Sequence, residues 1–314
     1  MPHPPLPVTI LSGFLGAGKT TLLNRWLSDP ASPPTAVIVN EFGELGIDGE
    51  LVVGASERVV ELRNGCICCE VREDLRTTAL DLLARRRRFF RPARFSHLVV
   101  ECSGLATPGP LVQTFLLDAE LAASTRVEGI VALAHAGHIE EQLLRHPEAP
   151  AQLACADLVL LNHTDRTDRL EEVEEVVRGV APLATLRRSL RADVPLAELR
   201  ALAGHDPLRW RLPPVSKHSS GIVTRSFRTA EPLQLARVKL LLQFVVARRG
   251  AELLRLKGVF HCRDIATAVV AQGVHQWLEL GPIAAPPPAE SAVVFIGRNL
   301  DPDELERAWA AATR

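Results

Sequence analysis

Through the first half of the chain, short runs of branched apolar residues alternate with amphipathic stretches, the pattern of parallel strands joined by helices. The runs are VTILS (8–12), AVIVN (36–40), RVVEL (58–62), SHLVVE (96–101), VEGIVALA (127–134) and DLVLL (157–161). Between them the spacing predicts helices over 20–28, 70–90, 109–121 and 166–178. The longest, 70–90, sets Leu75, Ala79, Leu82 and Leu83 at helical intervals. An open α/β sheet binds its ligands beyond the carboxyl ends of its strands, so the functional loops are expected there.

The pattern breaks between 204 and 220, GHDPLRWRLPPVSKHSS, where glycine, prolines and serines replace periodicity. We read 206–220 as a linker between an α/β domain, 1–205, and a smaller α+β domain, 221–314. In the latter, GIVTRSF, VFHC, TAVVAQ and SAVVFIG read as strands, 233–248 and 301–312 as helices, and GPIAAPPPAE (281–290) as a proline-rich loop. A length of 314 residues agrees with two domains, being more than one core usually serves.

Composition narrows the function classes. With 47% hydrophobic and 23% charged residues the chain can bury a sizeable core. A formal net charge of -1 supplies no global attraction to nucleic acid or to an anionic membrane. The densest basic run, Arg85 to Arg88, falls late in a predicted helix, where cations suit the negative end of the dipole. No apolar stretch approaches the roughly 18 residues of a membrane span, and MPHPPLPVTIL lacks the basic start of a secretory signal. The expected location is the cytoplasm.

Candidate chemistry begins at GFLGAGKT, residues 13–20, which follows a predicted strand and opens a helix as a P-loop does. Gly13 and Gly18 let the backbone wrap phosphates closely, so that successive amides and the helix dipole face the anion. Lys19 reaches for the β and γ phosphates, and Thr20 offers its hydroxyl to Mg²⁺. The nucleotide-binding set is Gly13, Gly16, Ala17, Gly18, Lys19, Thr20 and Thr21. The fold class is therefore an α/β P-loop NTPase, a mainly parallel sheet flanked by helices, with a smaller α+β carboxyl-terminal domain.

Phosphoryl transfer also needs a carboxylate at the end of a neighbouring strand, near the metal ion, and SHLVVECSG supplies Glu101. Gly104, three residues on, is placed to present its amide to the γ-phosphate, which makes Lys19, Glu101 and Gly104 the catalytic candidates. After DLVLL comes NHTD, Asn162 to Asp165, which resembles the NKxD guanine-specificity motif. A carboxylate at Asp165 accepts from guanine N1–H and from the exocyclic amine, whereas adenine would leave it unpaired at about 1–3 kcal/mol. GTP is thus expected over ATP. The simpler reading has Asn162 and Asp165 capping the next helix. His163 stands where the motif has lysine, so GTP binding weaker than in related chains is expected, and His163→Lys tests the position.

Three of the six cysteines, Cys66, Cys68 and Cys69, fall within four residues of NGCICC, on a turn between a predicted strand and the long helix. Three thiols so close suit one soft or borderline cation, and both a helix start and a bound metal lower thiol pKa values. The set is one short of a tetrahedral site, which implies an exchangeable rather than a structural metal. Glu41 of NEFGELGID, or water, is a candidate fourth ligand, and Glu41 and Glu44 are candidates for positioning the attacking water. The segment 40–53 follows the second strand, where a switch responsive to the γ-phosphate is expected. Cys102, Cys155 and Cys262 read as packing residues.

With GFLGAGKTTLLN, NEFGELGID, NGCICC, ECSGLATP and NHTD in this order, the chain resembles the CobW family of P-loop GTPases. RLKGVF, AVVAQGVHQW and VVFIGRNLD are similar to that family's companion domain. The resemblance implies slow GTP hydrolysis with Mg²⁺, zinc or cobalt binding at Cys66, Cys68 and Cys69, and delivery of the metal to a client metalloprotein. Many relatives carry a histidine-rich stretch near the domain junction, where only His218 remains in VSKHSSGI. Relatives also often end the relevant strand with VDA, where Ala134, His135 and Ala136 stand; His135 and His138 read as surface or loop residues, with auxiliary metal ligands as the sharper alternative. Two other functions fit the motifs: a nonenzymatic GTP-binding metal sensor or scaffold, and a P-loop small-molecule kinase that prefers ATP.

Overall fold

The computed structural model describes residues 4–41, 59–63, 68–87, 95–200, 202, 216–217 and 221–314, and the chain divides into two compact units, Met1–Gly204 and His205–Arg314. In the first unit the elements run β1 (Leu6–Gly13), α1 (Lys19–Ser28), β2 (Thr35–Glu41), β3 (Val59–Arg63), α2 (Cys68–Arg86), β4 (His97–Glu101), α3 (Gly109–Leu117) and α4 (Ala119–Ser124). They continue with β5 (Thr125–His135), α5 (Ile139–Arg145), α6 (Glu148–Ala154), β6 (Leu158–Asn162), a 3-10 turn (Thr164–Arg166), α7 (Leu170–Val180), β7 (Thr185–Arg188) and α8 (Leu196–Arg200).

Among the described residues the strands form one sheet in the order β3-β2-β4-β1-β5-β6-β7, and every recorded pairing within it is parallel. Each residue of β4 and β6 is buried, which in an open parallel sheet means cover on both faces. One face packs Leu11, Val37, Val99, Val131, Leu133 and Leu160 against Leu22, Leu23 and Trp26 of α1 and Leu196 and Leu199 of α8. The order reverses around β1, flanked by β4 and β5, so the loop after β1 opens at the switch point where such sheets bind ligands.

The second unit holds β8 (Ser216–Lys217), β9 (Ile222–Thr229), α9 (Leu235–Arg249), β10 (Leu253–Phe260), β11 (Val269–Val274), β12 (Trp277–Pro282), β13 (Ser291–Arg298) and α10 (Pro302–Thr313). Its antiparallel sheet runs β12-β11-β10-β13-β9-β8. Val238, Leu241, Leu242 and Val245 of α9 and Leu305 of α10 pack with Leu256, Phe260, Val293 and Phe295 of the sheet. Trp309 stacks on Phe227 with ring centroids 5.6 Å apart.

Several elements depart from the periodicity. The stretch 109–121 is two helices, because Asp118 turns extended and its Oδ1 accepts from the amides of Glu120 and Leu121 at 3.0 and 2.9 Å, starting α4 afresh. The long helix begins earlier, at Cys68, and the helix expected from 166 begins at Leu170 after the 3-10 turn. Of the segment read as a linker only Ser216 and Lys217 are described, as a short strand paired with β9. Among the described residues no helix is long and apolar enough to cross a membrane.

Candidate functional site

The loop between β1 and α1 is shaped by two glycines with nowhere to put a side chain. Gly13 has φ +135, and a Cβ there would lie 2.4 Å from the carbonyl oxygen of Leu133 on β5. Gly18 caps α1 at φ 104, and a Cβ there would lie 2.4 Å from Nδ2 of Asn162. Gly16, at φ +74, has open space around it, while Ala17 between the two glycines is buried and its amide donates to Phe14 O at 3.2 Å. The turn therefore sits directly on β5 and β6.

Lys19 opens α1 and is buried, its Nζ donating to Gly13 O at 2.9 Å and Phe14 O at 3.4 Å. The ammonium thus folds across the concave side of its own loop, held by backbone carbonyls. Thr20 is half-buried and Thr21 exposed in the first turn of α1. Glu101 ends β4, buried and in register with Leu11 of β1. The chain continues through Cys102, whose amide donates to Leu11 O at 2.8 Å. Burial above all raises the Cys102 thiol to about 12, with the nearby Lys19 ammonium pulling the other way. Cys102 is therefore a protonated packing group.

Gly104 lies against the phosphate loop, since a Cβ there would meet Leu15 Cδ2 at 2.4 Å. A residue that motif reading does not flag holds this loop. Gln152 of α6, 1% exposed, donates through Nε2 to Gly104 O at 3.0 Å and to Ala106 O at 2.9 Å. A fully buried glutamine in an alanine-rich segment was the available signal, because such an amide must find partners.

Asn162 ends β6 and is fully buried. Its Nδ2 donates to Ala17 O at 3.0 Å, while its Oδ1 accepts from Ala192 N at 2.9 Å and from Ser189 Oγ at 3.2 Å. It does not cap the following helix. It ties the phosphate loop to the turn after β7, where Arg191 and Ala192 take left-handed φ values of 53 and 55. That turn, Ser189 to Ala192, was not singled out from sequence. Asp165 is exposed in the 3-10 turn, 3.5 Å from the guanidinium of Arg166, so its carboxylate is open to a ligand. His163, in between, has φ 57 and is half-buried, its ring stacked on that of His135.

Cys66 and Glu44 lie outside the described residues. Cys68 and Cys69 form the first turn of α2 rather than the turn before it. β3 ends at Arg63, paired with Glu41 of β2, at the same carboxyl edge of the parallel sheet where β1 ends. Three strand spacings of about 4.8 Å separate β3 from β1, roughly 14 Å. Cys102, Cys155 and Cys262 are free and buried, and burial raises the Cys262 thiol to about 11. Among the described residues no group of three His, Cys, Asp or Glu side chains is arranged to hold a metal ion.

Comparison with known proteins places these features in a family. Residues 7–188 match the CobW/HypB/UreG nucleotide-binding domain, and residues 222–313 match the cobalamin synthesis protein cobW C-terminal domain. The chain is 31% identical over 315 residues to the zinc chaperone YjiA of Escherichia coli, covering 98% of each protein. It is 41% identical over 192 residues to the zinc chaperone CobW of Pseudomonas aeruginosa, covering 51% of this chain and 49% of that protein. The crystal structure of Zn(II)-bound YjiA GTPase from E. coli aligns at a TM-score of 0.77 and 26% identity, over 99% of this chain and all of that one.

Proposed function

The chain belongs to the CobW family, and from that premise we propose that it is a zinc chaperone that binds and slowly hydrolyses GTP, its nucleotide state setting the affinity of a thiolate zinc site. The observation that carries this reading is the shared edge. β1 before the phosphate loop, β6 ending in Asn162, and β3, the last strand before Cys68 and Cys69, all end at the carboxyl edge of one parallel sheet.

Each group has a role that its chemistry suits. The amides of the loop 13–20 and the Lys19 ammonium receive the phosphates. To do so Lys19 exchanges the carbonyls of Gly13 and Phe14 for phosphate oxygens. The Gly104 amide faces the γ-phosphate, its carbonyl held by Gln152. Thr20 and Glu101 offer hydroxyl and carboxylate oxygens, the hard donors that Mg²⁺ takes, and they would hold that ion. When bound, Mg²⁺ would neutralise charge on the β and γ oxygens. Asn162 fixes the geometry between phosphate and base loops, and Asp165 reads guanine N1–H and the exocyclic amine.

Zinc is the cargo. Cys66, Cys68 and Cys69 are assigned to it because the cysteines described as buried, Cys102, Cys155 and Cys262, are closed to a cation, while thiols at a helix start ionise readily. Glu41 ends β2 opposite Arg63 of β3, and β2 also pairs with β4, so a shift on loss of the γ-phosphate would pass through adjacent strands toward the cysteine segment. Any such coupling is reciprocal: if GTP tightens zinc, zinc tightens GTP by the same factor. Hydrolysis then loosens the site for transfer to a client metalloprotein.

Phosphate release from GTP and ATP, with zinc stoichiometry on wild type and Cys68→Ser, tests this reading. The expected result is turnover of GTP alone, with Cys68→Ser losing tight zinc while retaining GDP binding. Unchanged zinc stoichiometry and turnover in Cys68→Ser would remove the assignment.

A further inference from the structure

The carboxyl ends of β5 and β6 carry three imidazoles for which the scheme above has no use. His135 closes β5 in register with Asn162, the last residue of β6. His163 follows Asn162, and its ring stacks on that of His135 with centroids 4.3 Å apart and planes 20° from parallel. His138 also packs on His135, at 4.3 Å and 37°. The backbone pins this column from several sides. Ala136 N donates to Asn162 O at 2.8 Å, His138 N to His135 O at 3.0 Å, and Gly137 N to His135 Nδ1 at 3.1 Å.

The last contact fixes the chemistry of the ring. Because Nδ1 accepts, the neutral His135 carries its proton on Nε2. Burial first, then His163, His138 and Arg166 as facing positive or titratable groups, lower its pKa to about 4. A neutral ring stacks on its neighbours without like-charge repulsion. His135 and His163 stack, His138 is tilted against His135, and no metal-holding group of three occurs among the described residues.

The column sits where a nucleobase is needed. His163 lies between Asn162, which is hydrogen-bonded to the phosphate loop, and Asp165, whose carboxylate is exposed. We propose that the stacked His163–His135 pair is the purine's stacking platform: the base lies on the outer face of His163, and His135 positions that ring from beneath. The inference rests on reading Asp165 as the guanine selector. A lysine stem at this position would cover the base by itself, whereas an imidazole stacks well only when its plane is fixed. His135 is thus a positioning residue, and His135 and His163 make one device.

Titration of fluorescent GDP, with GDP, ADP and inorganic triphosphate as competitors, tests the proposal. His135→Asn keeps an acceptor for the Gly137 amide but removes the ring, and His135→Phe keeps a ring without the acceptor. We expect His135→Asn to weaken GDP about 5- to 10-fold, His135→Phe to stay within about twofold of wild type, and triphosphate, which has no base, to compete equally with all three. In a His163→Ala background, His135→Asn should cost nothing further. Wild-type GDP affinity in His135→Asn, equal losses in both variants, or a parallel loss of triphosphate binding would each overturn it. If wild type itself failed to prefer GDP over ADP, the guanine assignment would fall instead, and the histidine comparison would identify that failure separately.

Discussion

The two ends of the nucleotide site are built on different principles. At the phosphate end the proposed working groups are backbone amides, and geometry is set by glycines pressed against β5 and β6. At the base end the proposed working groups are side chains: the Asn162 amide, the Asp165 carboxylate and the His163–His135 stack. Backbone recognition leaves almost no freedom in residue type, so that end keeps its motif intact. Side-chain recognition admits replacements of similar shape and polarity, and there the proposal puts an imidazole pair in place of a lysine stem.

The comparison breaks first where freedom is least. Gly13→Ala would force a methyl to within 2.4 Å of a backbone oxygen at an unfavourable φ. We expect a loss of about 3 kcal/mol in stability and of nucleotide binding by two orders of magnitude or more, read by urea denaturation and GDP titration. His163→Ala, at the other end, should cost only about tenfold in GDP affinity. Losses of equal size would end the distinction.

Asn162→Ala comes next, because Asn162 belongs to both ends. It strands the Ala17 carbonyl and the Ala192 amide, so a stability loss of about 2–3 kcal/mol should accompany weaker binding of both GDP and inorganic triphosphate. Gln152→Leu should act on the phosphate end alone. With Gly104 unclamped, GTP turnover is expected to fall about fivefold while GDP affinity holds within twofold, as measured by single-turnover hydrolysis.

The smallest effect is on pH dependence. The folded-state pKa of His135 lies below that of the unfolded chain, about 4 against about 6.5, so the unfolded state takes the proton first. Its contribution to stability is complete above about pH 6.5 and is lost as pH falls towards 4. Urea midpoints at pH 7.5 and 5.0 should show a shallower acid slope in His135→Asn than in wild type. The buried His97, hydrogen-bonded to Thr9 at 2.9 Å and also lowered to about 4, supplies a same-sign background in both proteins.

How much of this was legible in the sequence follows the same division. The parallel sheet, the strand-loop-helix course of the phosphate loop and the strand end at Glu101 could be read because periodicity and glycine spacing report backbone requirements directly. The family relationship was legible as well, from motifs in fixed order along both units. Asn162 could be found, but its bonds to Ala17 and Ala192 span 145 and 30 residues and have no local signature. Gln152 and the turn at Ser189 to Ala192 escaped for the same reason. The break at Asp118 was hidden because apolar periodicity continues through it, and only the cap shows where one helix stops. The stack of His135 and His163 joins two strand ends, and pattern along one strand does not reveal neighbours across two.

In the proposed mechanism a nucleotide and a zinc ion sense each other along one sheet edge. Competition against a zinc chelator, run on the protein without nucleotide, with GDP and with a nonhydrolysable GTP analogue, measures this directly. We predict zinc binding tighter by at least about fivefold in the triphosphate state, with the same factor recovered when analogue affinity is measured with and without zinc. Equal zinc affinities in all three states would contradict it.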